Sequence, residues 1–136
     1  HPDRFIPYIL KLFFFSICSS IVIIPTGWFF SKEILQLCYG EIFIDASPLF
    51  NLLLISFLFM VLNLVLTQAT LAINLENVYA KITCVAALSN IGLNFYLIPS
   101  MGAKGAAIGT IITEGILMIL ISAGIFLWHR KLDSKQ

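Results

Sequence analysis

Residues Ala46 to Ile73 read ASPLFNLLLISFLFMVLNLVLTQATLAI, a stretch without a single charged side chain. A helix needs about 20 mainly apolar residues to cross roughly 30 Å of hydrocarbon, because each residue advances it by about 1.5 Å. The stretch is long enough to cross a bilayer with some tilt. It therefore predicts a membrane-spanning helix, and three further stretches repeat the signal.

The predicted spans cover residues of about 12–30, 46–73, 82–98 and 105–128. The first contains Pro25 and Gly27 near its far end, and the last carries one central charge, Glu114. Prolines and glycines are tolerated in membrane helices because neighbouring helices satisfy the freed backbone groups. The sequence thus predicts an all-α integral membrane chain with four transmembrane helices, located as a multi-pass protein in the cell membrane.

Composition excludes several other classes of protein. Of the 136 residues 60% are hydrophobic and 11% are charged, whereas a soluble domain carries about 25% charged residues. Too few charges remain to cover a soluble globule or to keep a chain disordered. The net charge of +1 predicts no nucleic-acid partner. Because the chain begins with His1 and shows no signal peptide, we expect it to be a fragment or processed piece of a longer protein.

The connections between spans also carry signals. Residues 31–40 predict a short interfacial helix with Ser31 as its N-cap. Residues 74–78 and 99–104 predict tight turns, the second broken by Pro99 and Gly102. Lysine and arginine are more frequent on the cytoplasmic side of membrane proteins, and their bias places both termini there. The charges counted on that side are Arg4, Lys11, Lys81, Arg130, Lys131 and Lys135, against Lys32 and Lys104 on the other.

Polar and small residues within the spans recur at helical spacing, so each span has one polar face. Lipid cannot satisfy amides, so these faces are predicted to point toward protein or a wet cavity. Two interpretations remain open: the groups hold helices together, or Asn63, Asn90 and Asn94 line a hydrophilic pathway. The four sets are Ser16, Ser20 and Gly27; Ser56, Asn63, Thr67, Thr70 and Asn74; Thr83, Ala87, Asn90 and Asn94; and Ala106, Thr110 and Thr113.

Glu114 is the strongest single candidate for a functional residue. It lies about ten residues into the last span, where an ionised carboxylate costs at least a few kcal/mol. It is predicted to contact substrate or a coupling ion, or alternatively to tie helices together by hydrogen bonding. No nucleophile has a base and an orienting partner, and no metal-ligand spacing is present, so neither enzymatic activity nor a cofactor is expected.

Two segments resemble the polysaccharide flippases. Residues 90–114 read NIGLNFYLIPSMGAKGAAIGTIITE, and residues 34–54 read ILQLCYGEIFIDASPLFNLLL. The first is similar to a signature of the form LN…LIP..G..GAA.AT…E, with Gly109 standing where the family often has Ala. The flippases that carry this signature form the oligosaccharide/polysaccharide transporter family of the multidrug/oligosaccharidyl-lipid/polysaccharide exporter superfamily.

The resemblance implies that residues 1–136 are the C-terminal region of a transporter of about 12–14 spans in two pseudo-symmetric halves. Such a protein moves undecaprenyl-diphosphate-linked glycan across the cytoplasmic membrane in the biosynthesis of O-antigen, lipopolysaccharide or other cell-surface polysaccharide. Its partners would be the lipid bilayer and the missing N-terminal spans. The family arrangement also places the turn at residues 99–104 on the cytoplasmic side, against the charge bias.

The candidate residues for this role are polar residues inside the spans, together with prolines and glycines at which helices can bend or end. Alternatives remain open: a multidrug exporter of the same superfamily, a small four-helix exporter, or a membrane scaffold without transport. The pathway candidates are Glu114, Asn63, Asn90, Asn94 and Thr110, and the hinge candidates are Pro25, Pro99, Gly102 and Gly105.

Overall fold

The fold is helical throughout the part of the chain that the structure, a computed structural model, describes, which is residues 2–133. Four of its helices are long and apolar enough to cross a membrane, as the sequence predicts. Lys135 and the side chain of Arg4, both used in the charge count, lie outside this description. The elements are α1 (Pro2–Phe29), α2 (Ser31–Tyr39), a 3₁₀ helix (Glu41–Ala46), α3 (Ser47–Ala72), α4 (Glu76–Met101) and α5 (Ala103–Asp133).

The four long helices lie in the order α1, α3, α5, α4, with α5 packed between α3 and α4. The α4 helix follows α3 in the chain but packs mainly against α5. The two run antiparallel, since Asn90 meets Thr113 while Leu97 lies beside Gly105. The α3 and α5 helices run in the same direction, since Asn63 meets Glu114 while Leu66 and Ser122 line one groove further along. The span that carries Glu114 therefore has a neighbouring helix on both sides.

The connection between α1 and α3 differs from its predicted form at one point. The short helix is present as α2 and ends at Gly40, whose φ of 91° stops the helix. Ser31 is not its N-cap, because the helix already begins at Ser31 and Phe30 occupies the cap position without a side-chain hydrogen bond. Only Phe30 separates α1 from α2, and its carbonyl accepts the N–H of Ile34 directly.

The turn between α4 and α5 is shorter than predicted. Pro99 does not break the helix, since α4 continues to Met101 and Gly102 alone ends it, with φ 57° and ψ −136°. Proline removes one intrahelical donor, here for the carbonyl of Phe95, and a membrane helix tolerates this loss. Glu76 likewise lies in the first turn of α4 rather than in the turn predicted at residues 74–78.

Close approach of α4 and α5 depends on two glycines of α5. A Cβ at Gly105 would overlap the carbonyl oxygen of Leu97, and a Cβ at Gly109 would lie 2.7 Å from Asn94 Oδ1. Small residues at such positions let helix backbones approach closely in membranes. Gly105 lies inside α5 rather than in a turn, and its role as a hinge remains a prediction.

Most of the apolar surface of the bundle is not covered by the described residues. Between 6% and 22% of each span is buried, so the remaining faces point to lipid or to further protein. Phe14, Phe15 and Phe95 are among the exposed aromatic side chains. Since water would not tolerate such a surface, the chain is a multi-pass membrane protein.

We expect Gly105→Ala in the natural protein to destabilise the contact between α4 and α5 by about 1–3 kcal/mol, because the new methyl group must displace backbone. The measurement is unfolding in mixed detergent micelles. The matched control is Gly115→Ala in the same helix, where an added Cβ meets nothing within 4 Å. Equal stability of the two variants would contradict the close packing at Gly105.

Candidate functional site

The first polar group of the site joins α3 to α5. Asn63 Nδ2 donates to Glu114 Oε2 at 2.6 Å and to the main-chain oxygen of Glu114 at 2.9 Å. Asn63 is 4% exposed, and Glu114 is half-buried. The two residues are separated by 51 positions in the chain, so this pair fixes one span against another.

Asn63 still has an unused acceptor. Its two amide hydrogens are both directed at Glu114, and its Oδ1 is buried without a hydrogen-bond partner. A buried polar atom of this kind costs about 1–3 kcal/mol. Within residues 2–133, Glu114 also forms no ion pair. The pair thus presents a carboxylate and an amide oxygen in the interior of a span, where polar groups are most often functional.

The second polar group joins α4 to α5. Asn94 Nδ2 donates to Asn90 Oδ1 at 2.8 Å, and Asn90 Nδ2 donates to Thr113 Oγ1 at 3.2 Å. Thr113 in turn donates to the carbonyl of Gly109 at 2.8 Å. Asn94 Oδ1 is buried without a partner, directly beside the Cα of Gly109. This row of amides gives α5 a polar contact with α4 as well as with α3.

The two polar groups lie on different flanks of α5. Thr113 and Glu114 are consecutive, and consecutive residues of an α-helix point about 100° apart. Glu114 therefore meets α3 while Thr113 meets α4. The structure brings Asn63 together with Glu114, and Asn90 together with Asn94, but it does not unite all four around one cavity.

Hydroxyl groups behave differently from amides in this bundle. Thr110, a predicted pathway residue, is half-buried and donates to the carbonyl of Ala106 in its own helix at 3.0 Å. Ser20 and Thr70 bind their own helices in the same way. A hydroxyl that bonds four residues back is satisfied without a partner helix. These side chains can therefore be buried without joining helices.

The predicted polar face of α3 points inward except at its far end, at Asn74, and that of α4 does so only in part. Ser56, Asn63 and Thr70 are buried on α3, and Thr67 bonds Tyr79 of α4 at 3.4 Å. Thr83 of α4 is exposed instead of pointing inward. Its hydroxyl donates to the carbonyl of Tyr79 at 2.9 Å, so it is satisfied within its own helix.

Ala87 and Asn74 also depart from the predicted inward faces, since both are exposed. Asn74 lies beyond the last turn of α3, in the connection to α4, with φ 56°. Polar side chains at a span end reach the interface and need no protein partner. The one buried residue of α4 within the described part of the chain is Ala86, near the middle of the helix.

Asn51 was missed by the sequence analysis. It is half-buried on α3, and its Oδ1 is buried without a partner. It lies about 120° around the helix from Asn63, so the spacing that revealed the other polar residues of this span does not include it. Its depth in an uncharged span was the only signal that pointed to it.

Comparison with known proteins finds a distant relative. The chain is 31% identical over 98 residues to a protein of Shigella flexneri described as "Putative O-antigen transporter". The match covers 71% of this chain, and the chain spans 23% of that relative's length. No family model matches the sequence, and no solved structure matches it. The similarity supports the resemblance noted in the sequence at the level of the family.

A double-mutant cycle with Asn63→Ala and Glu114→Ala tests the pairing of α3 with α5. Hydrogen bonds between membrane helices contribute about 0.6–2 kcal/mol, so we expect a coupling energy in that range. The measurement is unfolding of the natural protein in mixed detergent micelles. Asn63→Ala combined with Thr110→Ala provides the control, for which we expect no coupling because Thr110 bonds its own helix. Zero coupling in both cycles would show that the pair does not hold these helices together.

Proposed function

We propose that this chain is the C-terminal region of a transporter that flips lipid-linked oligosaccharide or polysaccharide repeat units across the cytoplasmic membrane. The similarity to a protein described as an O-antigen transporter and the four membrane helices support this proposal. The observation that carries it is the interhelical pair of Asn63 and Glu114 within the bundle. The proposed substrate is a glycan linked to a lipid carrier of the membrane, such as undecaprenyl diphosphate.

The physical requirements of this substrate match the two faces of the helices. A glycan and its diphosphate need a polar path through the bilayer, while the lipid tail stays in hydrocarbon. The described spans have apolar outer faces, and two amides of α4 bond to each other and to Thr113 of α5. Amide groups both donate and accept hydrogen bonds, as sugar hydroxyls do. The rest of the path is then supplied by further spans, since this chain covers 23% of the relative.

Glu114 is proposed as the residue that responds to a coupling ion or contacts the substrate. Among the described spans it is the carboxylate furthest from a helix end, with Asn63 as its hydrogen-bond partner. Protonation of the carboxylate, or cation binding to it, would change the hydrogen bond that it accepts from Asn63 Nδ2. The contact between α3 and α5 would then differ between the two states, as alternating access requires.

Two prolines are proposed as points where helices bend during transport. Pro25 lies inside α1 and Pro99 inside α4, and each leaves a carbonyl of the preceding turn without its usual donor. Helix kinks are most often found at such positions. Gly102, with positive φ, would let α4 and α5 pivot about the single residue between them. Catalysis has no part in this proposal, since the polar groups lack a nucleophile with an adjacent base.

Disruption of the gene tests the proposed activity. We expect lipid-linked glycan to accumulate on the cytoplasmic face and surface polysaccharide to be lost, because the flipping step would be absent. The measurement is extraction of lipid-linked glycans together with labelling of surface polysaccharide, and re-expression of the natural gene is the control. Intact surface polysaccharide with raised sensitivity to cationic drugs would instead favour a multidrug exporter.

We expect Glu114→Gln to lower transport turnover by about tenfold or more, since a hydrogen bond to a charged group contributes about 1.5–3 kcal/mol. Its dependence on the ion gradient should also weaken. Transport of labelled substrate into vesicles measures both. Glu76→Gln, the same change at an exposed residue in the first turn of α4, is the matched control. Unchanged turnover and unchanged gradient dependence in Glu114→Gln would exclude this role.

A further inference from the structure

The short helix α2 exposes a large apolar side chain although it is not one of the membrane spans. It lies in the connection between α1 and α3, before the 3₁₀ helix. Leu37 of α2 is 89% exposed. Exposed apolar side chains of a span face lipid, but Leu37 lies outside the four helical stretches that can cross a membrane. Contact with water would be unfavourable for this side chain.

The position of α2 is fixed by the spans on either side of it. Only Phe30 separates α2 from α1, and α2 packs against α3 and the 3₁₀ helix. Trp28 and Phe29, the last two residues of α1, are both exposed. Exposed tryptophan is typical of the boundary between membrane and water. The α2 helix therefore begins at that boundary and is held against the end of the bundle.

One exposed face of α2 is polar. Each residue of an α-helix turns by about 100°, which places Lys32, Glu33 and Gln36 within an arc of about 100°. All three side chains are exposed. Gln36 Nε2 donates to Glu41 Oε1 at 3.5 Å, so the 3₁₀ helix adds a carboxylate on this side. These groups are best solvated by water.

A second open face of α2 is apolar. Ile34 is half-buried and Leu37 is exposed, and the direction midway between them is about 170° from Lys32 and about 130° from Gln36. Leu35, which is buried, faces the bundle about 130° away on the other side. The bundle, the polar face and this apolar face thus point in three different directions. A helix at the surface of a bilayer has this arrangement, with polar residues toward water and apolar residues toward lipid.

We propose that α2 lies in the headgroup region of the bilayer, with Ile34 and Leu37 directed toward the acyl chains. Lys32 and Gln36 then face water, and Leu35 holds the helix against the bundle. Such helices insert their apolar face about 5–10 Å into the boundary between headgroups and acyl chains. The interfacial helix predicted from the sequence thereby acquires a definite orientation. The proposal does not depend on which molecule the protein transports.

Spin labels on α2 of the natural protein test this orientation. The native cysteines are replaced by serine, and a nitroxide is attached in separate variants to Leu37→Cys and Gln36→Cys. In phosphatidylcholine vesicles, paramagnetic resonance then measures collisions of each label with oxygen and with a water-soluble nickel chelate. We expect the ratio of oxygen to nickel collisions to be several-fold higher at position 37, because oxygen concentrates in hydrocarbon. The two positions differ by about 1.5 Å along the helix, so the ratio reports the face rather than the height.

A substitution without a label gives an independent measurement. Leu37→Asp should lower the unfolding temperature of the natural protein in the same vesicles, because a carboxylate near acyl chains is costly. Leu37→Met keeps the side chain apolar and should leave the unfolding temperature unchanged.

Three results would overturn the proposal. More nickel than oxygen collisions at both labelled positions would place the whole of α2 in water. Few collisions with either reagent at position 37 would show that another segment of the natural protein covers the apolar face. Equal unfolding temperatures of Leu37→Asp and Leu37→Met would show that residue 37 does not meet lipid.

Discussion

Inside a bilayer an amide or carboxyl group has no water to bind, so protein must provide its partners. This constraint explains why α5, the span that carries Glu114, lies between α3 and α4 rather than at the edge of the bundle. Asn63 supplies the partner for Glu114 from one side, and Asn90 reaches Thr113 from the other. Had α5 faced lipid at residue 114, its carboxylate would have cost several kcal/mol.

The glycines on α5 are part of the same arrangement. Gly105 and Gly109 allow α4 to approach so closely that Asn94 Oδ1 lies against the Cα of Gly109. At this separation Asn90 reaches Thr113 of α5, while Asn94 donates to Asn90 within α4. The polar row and the close backbone contact therefore depend on each other. Thr113 takes part by accepting from Asn90, whereas the hydroxyls of Ser20, Thr70 and Thr110 donate to carbonyls of their own helices.

Much of the fold follows from the sequence, because crossing a bilayer requires long apolar segments that are visible without a structure. Polar spacing along α3 also identifies its inner face at Asn63. The same spacing does not identify the partner, since it describes one helix at a time and Glu114 is 51 residues away. Helix ends are less predictable: Pro99 lies where the helix loses only one hydrogen bond, so the backbone continues to Gly102. Thr83 is exposed although the spacing predicts that it is buried, and its hydroxyl donates to a carbonyl of its own helix.

Glu114 faces α3, while its neighbour Thr113 faces α4. Disulfide cross-linking in native membranes tests it most directly, after Cys18, Cys38 and Cys84 are replaced by serine. Cysteines at positions 63 and 114 should form a cross-link between α3 and α5, and cysteines at 94 and 114 should not. A cross-link between 94 and 114, with none between 63 and 114, would contradict the arrangement of polar groups around α5.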